Sequence, residues 1–179
     1  EDILLPLLEK IFNFWEQLCT PEYFTDSNGN ARFVKGKTSL EPGEKYLIIP
    51  SFSPENKPLG YKSAITANAA MDIAAAVDSL NMYKNILSDI KPDGYQKTLE
   101  KIRNLLSCLP VYMFDKSGAI KEWSMNEYKE NNAHRHISHL YCAWPSSETQ
   151  HNHALASACR QAILNRNREN TGKDDTASH

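Results

Sequence analysis

A chain of 179 residues, 41% of them apolar and with a formal net charge of -2, holds enough material for one ordinary hydrophobic core and is too mixed in composition to be disordered or fibrous. Its 20 Lys and Arg are scattered among 22 Asp and Glu, so no basic stripe can hold a phosphate backbone, and nucleic-acid binding is not expected. No apolar run approaches the roughly 20 residues that a membrane-spanning helix needs, so no membrane partner is expected either. The chain opens at Glu1 without Met or a basic-then-apolar leader and enters a helical pattern almost at once, which reads as processing or excision rather than a natural start.

Leu4, Leu7, Leu8, Ile11, Phe12, Phe14, Trp15 and Leu18 recur every three to four residues, the spacing of an amphipathic helix, and Thr20-Pro21 ends it. Residues 23–43 are polar and turn-rich, with Asp26-Ser27-Asn28-Gly29-Asn30 as the turn signal, and predict a loop or small hairpin. The β-prone run Tyr46-Leu47-Ile48-Ile49 leads into Pro50, Pro54 and Pro58, whose missing amides and fixed φ forbid a helix and impose an extended, rigid path. From Ser63 or Thr66 to about Leu87 strong helix formers and small side chains predict a closely packed helix. Pro92-Asp93-Gly94 opens the next, with an apolar stripe of Leu99, Ile102, Leu105, Leu106 and Leu109 that Pro110 closes. A tight hairpin is expected over residues 111–123, turning at Asp115-Lys116-Ser117-Gly118, and a last helix from about Asn152 to Arg166, followed by a polar tail. Cys19, Cys108, Cys142 and Cys159 form no CxxC pair and read as free core thiols.

The sum is a mainly α chain whose long connections, residues 50–62 and 118–148, are the places to look for chemistry. Glu55 stands on the proline-braced loop with Phe52 and Tyr61 close in sequence; partial desolvation there would raise its pKa and suit it to donate a proton, against the plainer reading of an exposed loop carboxylate. His134-Arg135-His136-Ile137-Ser138-His139 offers many donors for sugar hydroxyls or for a carboxylate kept ionised. The alternatives are a structural cluster, or zinc held by His134, His136 and His139 or the later His151 and His153, although no Cys or Asp stands at regular ligand spacing. In Glu122-Trp123 the indole could stack on a sugar face or fill the core. Asn68 and Asp72, four apart, would share a helix face, for a ligand or for capping.

In chain order, Pro50-Ser51-Phe52-Ser53-Pro54-Glu55-Asn56, Met71-Asp72, Glu122-Trp123 after the Gly118 turn, His134-Arg135-His136 with His139-Leu140-Tyr141, and Trp144-Pro145 together resemble glycoside hydrolase family 95, the α-L-fucosidases and related α-L-galactosidases. The resemblance implies part of an (α/α)6 toroid-type helical barrel that hydrolyses terminal α-L-fucosyl or related bonds with inversion, without a cofactor. It implies Glu55 as general acid, Arg135 and His136 as the sugar-contacting pair, and Asp72, Glu122 and Trp123 as further substrate-binding positions. An inverting enzyme needs a second carboxylate roughly 6.5 to 9.5 Å from the acid, and the family's base lies in segments that this stretch does not match. Residues 1–179 are therefore expected to be a partial catalytic domain: 1–44 a first helix and polar loop, 45–62 the acid-bearing loop, 63–179 the helices and the His-Arg-His loop. Such a fragment is expected to be inactive alone, with the remainder of the parent polypeptide and an oligosaccharide or glycan as partners and a secreted or periplasmic location. The competing readings are a non-catalytic carbohydrate-binding helical module and a zinc-dependent hydrolase using His134, His136 and His139.

Overall fold

The apolar stripe of the first helix, α1 (Leu4–Leu18), buries Leu8, Phe12 and Trp15 in a computed structural model that describes residues 3–90 and 92–169. The Trp15 indole N–H donates to Ser79 Oγ at 3.1 Å, and the Phe12 and Tyr83 rings lie 6.1 Å apart. After Thr20-Pro21 three short antiparallel strands follow, β1 (Tyr23–Thr25), β2 (Ala31–Phe33) and β3 (Lys45–Tyr46), ordered β2-β1-β3. The β1–β2 hairpin turns where predicted: Asp26 Oδ1 accepts from the amides of Asn28 and Asn30, each at 3.0 Å, and Gly29 takes φ 79°.

Two strands of the next sheet, β4 (Ser51–Phe52) and β5 (Ile65–Thr66), pair antiparallel with Ser51 opposite Thr66, and α2 then runs from Ala70 to Ile90. The helix expected from Ser63 or Thr66 thus begins later. Asn68 takes φ 51°, donates its amide to Ile48 O at 3.0 Å and accepts from Ile48 N through Oδ1 at 2.8 Å, which holds the backbone out of a helix until residue 70. Asn68 and Asp72 therefore do not share a helix face.

A single 3-10 turn at Pro92–Gly94 precedes α3 (Gln96–Cys108), which buries Leu99, Ile102 and Leu105. The hairpin expected over 111–123 is reduced to one bridge, Phe114 with Ile120, around a turn in which Asp115 Oδ1 caps the amides of Ser117 and Ala119 and Gly118 takes φ 80°. The last helix, α4 (His153–Glu169), starts where Asn152 Oδ1 accepts the Leu155 amide at 3.0 Å. From residue 170 the polar tail lies outside the described residues.

Among the described residues, four α-helices and short strands make the chain mainly helical. The contacts divide into two units, one of residues up to 47 with 75–110, the other of residues 48–74 with 111 onward. The second packs around small side chains, Ala74, Ala119, Cys142, Ala158, Cys159 and Ala162, with Ile120, Leu140 and Leu155. Cys19, Cys142 and Cys159 are free and buried; Cys108 is only half-buried.

Candidate active site

Every candidate site residue belongs to the second unit. Asp72, in the first turn of α2, takes the Ser51 hydroxyl at 2.5 Å and the Phe52 amide at 3.0 Å on one oxygen, and so fixes β4 at the entrance to the loop. The loop then turns tightly, with the Asn56 amide on Ser53 O at 3.0 Å. Glu55 between them adopts φ 58°, a left-handed conformation that a glutamate rarely takes and that persists only where the surroundings impose it.

Beneath the loop lies a buried network of charged and polar side chains. Glu122 Oε1 accepts from Ser53 Oγ at 2.6 Å, and Oε2 accepts from Asn56 Nδ2 at 2.6 Å and from Arg166 Nη2 at 2.8 Å; the Glu122 and Arg166 side chains are each 1% exposed. Charges this deep persist when paired and hydrogen-bonded, as these are. His139 lies beside the same guanidinium, 3.3 Å from its Nη2, and burial pushes the imidazole down to about 4, so it stays neutral and can accept that hydrogen bond. Glu130 accepts the Glu122 amide at 2.7 Å; burial, reinforced by the Glu122 charge, pushes its carboxyl up to about 7.

At the surface one Glu55 oxygen, Oε2, meets both Arg135 Nη2 and His136 Nε2, the latter at 2.9 Å. The carboxyl is 58% exposed, and the His136 hydrogen bond and then the Arg135 charge hold it below the usual carboxylate range. The expected desolvation and raised pKa are corrected here: Phe52 and Tyr61 are themselves exposed, and the His136 hydrogen bond and the Arg135 charge outweigh desolvation. Beside this cluster lies a cleft of about 250 Å³ lined by Pro54, Met71, His136, Ile137, Ser138, Tyr141 and Trp144, with the Trp144 indole 83% exposed.

Glu55, Arg135 and His136 thus come together, whereas Glu122 and Trp123 do not join them at the surface. Trp123 is fully buried and pairs with Ala69 in an isolated bridge, so its ring is not available to stack on a sugar, and the Glu122 carboxylate is occupied by Ser53, Asn56 and Arg166. Both side chains make structural contacts, and neither lines the cleft. The histidine cluster divides: His136 faces Glu55, while His139 is in the core. Among the described residues no three His, Cys, Asp or Glu side chains are grouped to hold a metal ion, so the arrangement needed for the zinc reading is not formed. Arg166, Glu130 and Asn131 were missed as site residues. No local spacing marks them: the partners are 27 to 44 positions away for Arg166, 75 for the Asn131 side chain and 8 for Glu130.

The description "Glycosyl hydrolase family 95 catalytic domain" matches residues 7–177. The chain belongs to glycosyl hydrolase family 95. A relative of known name, alpha-L-fucosidase 2 of Arabidopsis thaliana, is 27% identical over 134 residues, which make up 71% of this chain and 16% of that protein. The family 95 chain therefore spans about a sixth of the relative it matches. In this family 95 site the carboxylate of Glu55 meets Arg135 and His136, and His136 lines the cleft together with the exposed indole of Trp144.

Proposed function

We propose that this chain is the acid-bearing part of a catalytic helical barrel of the (α/α)6 type, and that its parent protein hydrolyses terminal α-L-fucosyl or related glycosidic bonds with inversion, Glu55 being the general acid. The observation that carries the reading is the clasp of Arg135 and His136 on Glu55 at the rim of the Trp144 cleft. Family membership and the name of the plant relative support the sugar class.

In the free protein Glu55 is ionised at neutral pH, which opposes proton donation. A sugar entering the cleft offers hydroxyls to Arg135 and His136. As these turn to the sugar, Glu55 loses the two contacts that lower its pKa, and dehydration under the ring raises it further. The protonated carboxyl then donates to the glycosidic oxygen as the bond breaks, and a carboxylate from the rest of the polypeptide activates water on the opposite face. Glu55→Gln in the full-length protein should lower hydrolysis of an α-L-fucoside by about a hundredfold or more with the fold intact. Unchanged hydrolysis would remove Glu55 from the acid role.

A further inference from the structure

The proposed chemistry makes no use of Glu122, whose side chain is almost fully buried in the second unit. Glu122 holds Ser53 through one oxygen and Asn56 through the other, and these two residues flank Glu55. Asn56 in turn holds Asn131 by two hydrogen bonds: its Nδ2 donates to the main-chain carbonyl of Asn131 at 3.0 Å and its Oδ1 accepts from Asn131 Nδ2 at 2.9 Å. Arg166 bridges the same two points, donating to Glu122 Oε2 through Nη2 and to Asn131 O through Nη1, each at 2.8 Å. Asn131 lies a few residues before Arg135 and His136 on their loop. One carboxylate therefore joins both segments that bring Glu55 to its partners.

We infer that Glu122 is a positioning residue of the active site, which with Asn56, Asn131 and Arg166 sets Glu55 against Arg135 and His136 without itself touching substrate. The left-handed φ of Glu55 is the mark of this role, since such a conformation relaxes unless its neighbours over-determine it. Ser53 and Asn56 are fully buried and hydrogen-bonded on either side, so the loop has little freedom to relax while the carboxylate is in place. The groups that face Glu55 itself are Arg135 and His136, with His134 further off. The inference rests on the reading of Glu55 as the acid only for its catalytic consequence; the geometric part stands by itself.

The test uses the full-length protein with two variants: Glu122→Gln, which keeps the shape of the side chain, and Asn131→Ala, which removes the Nδ2 donation to Asn56 Oδ1 while leaving the main-chain carbonyl of Asn131 in place, at a half-buried site where folding is less at risk. Crystal structures should show Glu55 released from φ near 58° and from His136. Activity should fall about ten- to a hundredfold in kcat, with a smaller change in KM. The pH limb belonging to Glu55 should move up towards the ordinary carboxylate value as the His136 contact loosens, and Glu122→Asp should restore part of the loss. If Glu122→Gln does not fold, Asn131→Ala decides. Glu55 still clasped by His136 in a folded Asn131→Ala variant, with kcat and the pH profile unchanged, would overturn the inference. Full activity of Glu55→Gln would instead remove the acid reading and leave the crystallographic arm to judge the positioning.

Discussion

Glu55 and Glu130 are shifted in opposite directions by their surroundings, and each shift has a measurable sign. Glu55 is exposed, accepts a hydrogen bond from His136 and faces the Arg135 charge, so its carboxyl titrates low in the free protein. Because kcat/KM reports ionisations of the free enzyme and kcat those of the substrate complex, the limb belonging to Glu55 should lie at lower pH in the kcat/KM profile than in the kcat profile. Coincident limbs would show that substrate does not release the carboxyl. Glu130 is buried beside Glu122 and titrates near 7 when folded. A carboxyl whose folded pKa is raised contributes stability that is present below its unfolded value and lost as pH rises through the folded value. Stability should therefore decline between about pH 4.5 and 7 on its account, and Glu130→Gln should flatten that decline and raise stability at pH 8 by on the order of 2 kcal/mol, read by urea unfolding. A variant with the wild-type pH dependence would contradict this assignment.

At the scale of elements, α1, α3 and α4 are legible in the sequence because each carries its own apolar stripe and its own stop or cap: Thr20-Pro21, Leu109-Pro110 and Asn152. The start of α2 is not, since Ala-rich residues carry no phase and the boundary is set by Asn68, whose partner Ile48 is 20 positions away. At this buried site Asn tolerates φ 51° and satisfies the Ile48 amide, and alanine does neither. Asn68→Ala should cost roughly 2 to 4 kcal/mol in denaturant unfolding; a loss under about 0.5 kcal/mol would show that the β4 approach to α2 does not depend on it. The candidate site shows the same division. Glu55, Arg135 and His136 are readable as dense or proline-framed polar motifs, whereas the burial of Trp123 and the pairing of Glu122 with Arg166 depend on contacts that no local spacing reports.

On the scale of the molecule, the acid, its two partners and the network that holds them all lie within residues 48–74 and 111–166, so this half of the proposed chemistry is assembled by one compact unit. The chain covers 16% of the plant alpha-L-fucosidase 2 that it resembles, and the base of an inverting pair belongs to the remainder of the parent in this account. The most direct test compares two substrates in the full-length Glu55→Gln variant: an α-L-fucosyl disaccharide, whose leaving alcohol must be protonated, and α-L-fucosyl fluoride, whose leaving group departs without that proton. The account predicts that the disaccharide rate falls by about a hundredfold or more while the fluoride rate stays within a few-fold of the wild type. Equal losses on both substrates, or none on either, would contradict Glu55 as the proton donor.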